Sequence, residues 1–213
     1  MSSTTAPRDR YHHGDLANAL AGAAFDLARR GGPQAVVLRE AARQVGVSPT
    51  AAYRHFTGHE ALIETVKQVC QTELVGRMEA ELAAGTPAAD PKHEAVRRLR
   101  ALGRGYLNFA QAEPGLFRTA FCPSDAPLEE QWVSLYAAPG FQELIATLDT
   151  MVECGVLDDK HRAGAELVAW SGVHGLSMLI LDGPLRALPE EDLAAATDRV
   201  LDAIIAGVLG REP

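Results

Sequence analysis

The sequence predicts an all-α protein of about nine or ten helices, with a small N-terminal three-helix unit built around a helix-turn-helix and a larger C-terminal helical bundle. Three observations predict it. Apolar residues recur every three or four positions through most of the chain. No stretch alternates apolar and polar residues in a way that survives comparison with those helical periods. Helix start and stop signals, an Asp or Ser before a Pro at one end and a Gly at the other, punctuate the chain throughout.

Residues 1–13, MSSTTAPRDRYHH, are polar and interrupted by proline, and they read as a flexible arm. Arg8 and Arg10 in it are either solvated charges or an arm that lies along DNA. Asp15 is expected to cap a first helix whose apolar side runs Leu16, Leu20, Ala23 and Leu27, ended by Gly31-Gly32-Pro33. The stretch that organises the rest is LREAARQVGVSPTAAYRHF, from Leu38 to Phe56. Gly46 suits the left-handed conformation that closes a helix, Ser48 can cap the next with its hydroxyl, and Pro49 fits the first helical position, where its missing N–H has no partner to lose. Ala42, Val45, Val47 and Ala52 would face inward across the turn and let two short helices cross closely. The outer face of the second helix is then free to enter a major groove.

A long amphipathic helix follows from Glu60, with Leu62, Val66, Val69, Leu74 and Met78 on or near one stripe, ending around Gly85-Thr86-Pro87. The segment to Pro91 is rich in Ala, Pro and Gly and marks a boundary between head and body. Asp90-Pro91 opens a helix to about Gln111, Glu113-Pro114 a short one through Phe121, and Pro127 another that Pro139-Gly140 should break or kink. Phe141, Leu144, Ile145, Leu148 and Val152 resume the pattern up to Gly155. Asp158 or Asp159 starts a helix that reaches Leu181, and Leu193, Ala196, Val200, Ile204 and Val208 mark the last.

Charge is unevenly placed. The net charge of the whole chain is −8, which taken alone argues against a nucleic-acid partner. Residues 1–60, however, hold Arg8, Arg10, Arg29, Arg30, Arg39, Arg43 and Arg54 against only Asp9, Asp15, Asp26, Glu40 and Glu60, so a mildly basic head stands on an acidic body. His12, His13, His55 and His59 lie in the same head. Cys70, Cys122 and Cys154 are far apart and in no metal-ligand spacing, which argues against a disulfide framework or zinc site and suits a reducing cytoplasm. The start of the chain does not read as a signal peptide, and the apolar run Leu176–Leu181 is too short to span a bilayer, so no membrane partner is expected.

The run Tyr53-Arg54-His55-Phe56, then His59-Glu60-Ala61-Leu62, resembles the TetR family of transcriptional regulators, whose signature is Gly-Val-Ser, a short variable step, Tyr-x-His-Phe, a two-residue turn and Lys-Glu-x-Leu. The resemblance covers residues 14–74 without gaps. Two positions depart from it. His59 stands where lysine is usual, a phosphate contact that depends on protonation. Ala52 stands where leucine is usual and removes core volume. Trp170 through Gly175, WSGVHG, with His12-His13-Gly14-Asp15-Leu16, resembles one subgroup of such regulators with its own C-terminal domain. Trp170 and His174 share a helix face, and either close packing or ligand contact would account for them.

The resemblance implies an arm at 1–13, a DNA-binding domain at 14–74 with its motif at 37–56, and a ligand-binding and dimerisation domain at 75–213. It implies a cytoplasmic, ligand-responsive repressor acting as a homodimer on double-stranded operator DNA with an inverted repeat. Arg39 matches a position that reaches guanine, and Ser48, Pro49, Thr50 and Ala51 lie where base edges come within reach. Tyr53, Arg54 and His55 would mostly meet phosphates, together with Thr50 or His59. The helices at about 160–181 and 190–209 have apolar faces wider than one core requires and would pair with a two-fold mate. Phe109, Phe117, Phe121, Trp132, Tyr136, Phe141 and Trp170 fall where an unknown small-molecule effector would bind, with His174, Tyr136 and Ser171 as its polar contacts.

Two other classes remain open. A helical ligand-binding or interaction protein without DNA binding would share the bundle. An all-α enzyme is disfavoured, because the chain has no Gly-rich phosphate loop, no His-Glu-x-x-His and no nucleophile elbow around Ser171 and His174. His12 and His13 lack carboxylate or thiol partners nearby, so no catalytic residue, metal ligand or cofactor is expected.

Overall fold

The structure is a computed structural model that describes residues 13–210, with side chains from residue 16 onward. Arg8, Arg10 and His12 lie outside the described residues. Among the described residues there are eleven α-helices and no strand: α1 His13–Gly31, α2 Leu38–Val45, α3 Pro49–Ala52, α4 His59–Ala84, α5 Pro91–Ala112, α6 Pro114–Ala120, α7 Leu128–Ala137, α8 Pro139–Glu153, α9 Asp159–Arg162, α10 Ala165–Leu181 and α11 Glu190–Val208. Short 3-10 turns at Pro33–Ala35 and Pro184–Ala187 join α1 to α2 and α10 to α11.

The punctuation works as its chemistry dictates. The Asp90 carboxylate accepts from the His93 N–H at 3.1 Å with Pro91 in the first turn of α5, and the Asp158 carboxylate accepts from the Lys160 N–H at 3.2 Å. At Pro139 the chain breaks rather than kinks. Ala138 is extended, at φ −64° and ψ 133°, because a residue before proline is pushed out of the helical region, and Pro139 then opens α8 as its first residue.

Three details differ from the sequence reading. α1 begins at His13, so Asp15 is inside the helix and not its cap. The single helix expected from Asp158 to Leu181 is two, because Gly164 takes a left-handed φ of 77° and turns the chain between α9 and α10. On α4 the buried stripe is Leu62, Val66, Cys70, Leu74 and Met78, spaced four apart, and Val69 is exposed. Burial pushes the Cys70 thiol up to about 12, so it behaves as a small apolar side chain.

Head and body share one core. The contiguous apolar cluster runs from Leu16, Leu20 and Ala24 of α1 through the α4 stripe to Leu201, Ile204 and Val208 of α11. Two seats fix the head. Gly115 of α6 lies so close to the carbonyls of Ala28 and Arg29 at the end of α1 that a Cβ there would collide with backbone. Beside it the Arg29 guanidinium donates to Glu113 at 3.1 Å. The α4–α5 packing is the most extensive in the molecule, and Gly105 of α5 makes it possible: a Cβ there would stand 2.5 Å from the Met78 Cα and 2.9 Å from the Arg77 carbonyl. Since α4 backbone cannot yield cheaply, Gly105→Ala is expected to cost about 1–3 kcal/mol of stability. Gly76, on the exposed side of α4 with nothing within 4 Å of a Cβ, should behave oppositely, and Gly76→Ala should add up to about 1 kcal/mol. Urea unfolding of the two variants measures both signs.

Candidate nucleic-acid interface and cavity

The turn between α2 and α3 has the geometry its residues prescribe. Gly46 sits at φ 80° and ψ 26° and its N–H bonds back to the last carbonyls of α2, while the Val47 N–H reaches the Ala42 carbonyl at 3.0 Å. The Ser48 hydroxyl accepts from the Ala51 N–H at 3.2 Å, and Pro49 follows it. Ala42 and Ala52 are fully buried, and Val45 and Val47 pack partly buried against the core, which lets α2 and α3 cross closely. The second helix is shorter than expected. Regular α3 ends at Ala52, and Arg54, His55 and Phe56 continue it as a tight turn, their N–H groups bonding to Ala51 and Ala52 carbonyls.

Of the nine DNA-contact candidates, Arg39, Ser48, Pro49, Thr50, Tyr53, Arg54 and His59 are exposed and Ala51 and His55 are half-buried. Arg39 stands between the buried Leu38 and the rest of α2, Ser48 to His55 form α3 and its turn, and His59 opens α4. Arg43 is held by Glu40 at 2.5 Å, and the guanidinium draws that carboxyl down to about 2. Among the described residues, neither Arg39 nor Arg54 enters an ion pair. Their charges are therefore available to a nucleic acid, as two cations already engaged would not be.

A cavity of about 1250 Å³ opens in the body, walled by α4, α5, α7, α8, α10 and α11, and it reaches along α4 as far as His59. Phe121, Trp132 and Trp170 line it, as does Phe141. Phe109 and Phe117 do not; both are fully buried in the core behind the wall. Tyr136 is turned away from the space, its hydroxyl donating to Glu166 at 3.2 Å, beside the Arg162–Glu166 pair at 2.8 Å. Ser171 is exposed outside it.

His174 stands behind the cavity wall. Its ring lies 5.1 Å from Trp170, 5.0 Å from Phe121 and 5.7 Å from Phe117, centroid to centroid, and its Nδ1 is 2.8 Å from the hydroxyl of Tyr106. Burial lowers the His174 pKa and raises that of Tyr106 well above the phenol range, the latter partly offset by the Trp170 indole. Both side chains are thus neutral at pH 7 and are joined by this hydrogen bond. Tyr106 itself lines the cavity and is the polar wall residue that sequence reasoning missed. Its signal was there: it shares the buried stripe of α5 with Leu99, Leu102 and Phe109, and a phenol on such a stripe needs a partner.

Two family models match this chain. That of bacterial regulatory proteins of the tetR family matches residues 20–66, and that of the tetracyclin repressor-like C-terminal domain matches residues 99–204. The chain belongs to the TetR family. It is a DNA-binding transcriptional regulator, with α1–α3 as its helix-turn-helix unit. Among solved structures, a protein of unknown function from Rhodococcus sp. RHA1 is 25% identical with a TM-score of 0.69, over 92% of this chain and 98% of that one. The TetR family transcriptional regulator PfmR from Thermus thermophilus is 24% identical, TM-score 0.54, over 93% and 97%. A tetR-family transcriptional regulator from Streptomyces coelicolor is 22% identical, TM-score 0.55, over 94% and 90%; the likeness to these last two is one of fold. No curated protein matches the chain. In this TetR-family chain the two matched regions flank residues 67–98, which hold the rest of α4 and the start of α5.

The buried histidine makes a testable statement about the body. Because the folded pKa of His174 lies below its ordinary value of 6.5, the unfolded chain takes up the proton first as pH falls. The stability it contributes is complete above about pH 6.5 and is lost as pH drops below that value. The thermal midpoint should fall between about pH 7.5 and 5.5, and His174→Asn should fall less over the same range.

Proposed function

We propose that this regulator is a cytoplasmic, effector-responsive repressor that acts as a homodimer on an inverted-repeat operator, with residues 14–74 reading DNA and residues 75–213 binding effector and partner copy. The observation that carries the reading is the path of α4: its first residue, His59, belongs both to the DNA-contact candidates and to the cavity lining. A ligand that fits one position of α4 better than another shifts the head with it, and by the same free energy DNA shifts the ligand's affinity. Trp170, Phe121 and Trp132 supply apolar wall, and Tyr106 supplies a hydroxyl. No described helix is long and apolar enough to cross a membrane.

The dimer reading is supported by the outer face of α10. Val168, Ser171, Gly175, Met178 and Leu179 recur there at helical spacing and are exposed, and Ala203 and Gly207 of α11 are exposed too, with Gly207 lying next to Val168. Small residues flanked by exposed Val, Met and Leu suit an isologous four-helix contact with a second copy. Leu179→Glu is expected to convert the dimer to monomer in light scattering at micromolar protein and to abolish tight operator binding. A wild-type monomer under those conditions would refute the assembly.

Within the head, Arg39 is assigned to base reading and Tyr53 to the phosphate backbone. Arg39→Ala should then cost about 1–3 kcal/mol and relax sequence choice at one base pair of each half-site. Tyr53→Phe should weaken all sequences by nearly the same factor. Competition gel shifts with a randomised operator separate the two, and unchanged affinity and specificity in Arg39→Ala would overturn its role.

A further inference from the structure

The helix-turn-helix carries a single carboxylate. From Leu38 to Phe56 the only Asp or Glu is Glu40, against Arg39, Arg43 and Arg54. A negative charge on a surface that meets a polyanion repels phosphate and weakens every complex, whatever the sequence, so its presence there calls for a role. A carboxylate can accept from the amino group of cytosine, but Glu40 is not free to do so. Its Oε2 accepts from the Arg43 Nε at 2.9 Å, and its Oε1 accepts from the Arg43 Nη2 at 2.5 Å and from the Gln44 Nε2 at 3.4 Å. The Arg43 guanidinium above all, and then the Gln44 amide, hold the carboxyl down at about 2, so the pair is ionised throughout the neutral range.

Glu40 therefore acts on Arg43. It occupies one edge of the guanidinium, Nε with Nη2, and leaves the end-on edge, Nη1 with the second hydrogen of Nη2, without a partner among the described residues. Even so paired, the Arg43 side chain stays 73% exposed. The inward side of α2 is Leu38, Ala41 and Ala42, and Arg43 stands four residues after Arg39 on the same flank, one turn or about 6 Å along the helix. That distance is roughly two base-pair steps. Pairing also changes which acceptor such a guanidinium prefers. A lone arginine is drawn to phosphate by its charge, whereas one answered by a carboxylate loses that pull and keeps a hydrogen-bond fork that fits O6 and N7 of guanine. A long side chain already held in one arrangement has less freedom to lose on binding.

We propose that Arg43 is a second base-reading residue, directed at a guanine by Glu40, which acts as a positioning residue and keeps the guanidinium off the phosphates. This rests on the reading of the Arg39 flank of α2 as a face turned toward the bases. Arg39 and Arg43 then read different base pairs of each half-site.

For the test, the operator is first selected by the full chain from random duplexes, and a library of its single base-pair variants is then competed in gel shifts. Arg43→Ala is expected to lose about tenfold of discrimination at one G·C pair of each half-site, a different pair from the one that Arg39→Ala relaxes. Arg43→Lys should lose it as fully, because an ammonium offers no fork. Glu40→Gln should relax the same pair as Arg43→Ala. By freeing Arg43 for phosphates it should also bind random DNA tighter, with the slope of log affinity against log salt steeper by about 0.9. Glu40→Gln/Arg43→Ala should bring that slope back to the wild-type value. If Arg43→Ala leaves discrimination unchanged at every position while Arg39→Ala relaxes one, Arg43 and Glu40 form only a solvated ion pair and the proposal alone is wrong. If Arg43→Ala weakens all sequences alike and flattens the slope by about 0.9, Arg43 is a phosphate contact and the proposal is again wrong. If Glu40→Gln keeps the discrimination that Arg43→Ala loses, Glu40 has no positioning role. Should Arg39→Ala and Arg43→Ala both be silent, the reading of this flank as turned toward DNA fails first and takes the proposal with it.

Discussion

The burial of one stripe of α4 is the constraint on which the rest of this molecule depends. Leu62 and Val66 close the core of the DNA-binding unit, while Leu74 and Met78 close that of the bundle, with Cys70 between them. A helix that is buried at both ends cannot shift at one without shifting at the other, because packed cores move between discrete arrangements and do not deform continuously. Gly105 brings α5 onto the backbone of α4 at Arg77 and Met78, and Gly115 brings α6 onto the end of α1. The head is therefore held directly by α6 at the end of α1, and through α4 by the packing of α5.

Much of this was legible in the sequence, and the reason is local chemistry. Gly46, Ser48 and Pro49 each fill a backbone role that few other residues fill, so the turn between α2 and α3 could be placed to the residue. Asp90-Pro91 and Glu113-Pro114 did the same for α5 and α6. What escaped was set by tertiary packing. Cys70 and Val69 are neighbours on the sequence and both apolar, and only the four-residue step of the buried stripe decides for Cys70. The break at Gly164 was hidden because an isolated glycine inside a helical pattern is usually tolerated.

The cavity was legible as a region and not as a wall. Aromatic residues between the linker and the last helix located it, yet composition cannot tell a side chain that faces a space from one that fills the core behind it. Phe109 and Phe117 went inward, and Tyr136 turned to Glu166. Trp170 and His174, four residues apart on one face of α10, divide the two duties: the indole lines the cavity, and the imidazole stands behind it, held by Tyr106. A buried, neutral hydrogen-bonded pair of this kind fixes ring orientations against one another, and so gives the wall a defined shape.

The account makes α4 a lever between cavity and head, and the most direct measurement is the separation of the two heads in the proposed dimer. A spin label at Asp26→Cys, an exposed site on α1, in a chain with Cys122 and Cys154 changed to serine, gives one inter-head distance by pulsed electron resonance. Operator DNA should select one narrow distance, and a saturating cavity ligand that releases DNA should move the distribution to a different one. A ligand that releases DNA while the inter-head distance stays at its DNA-bound value would contradict the lever.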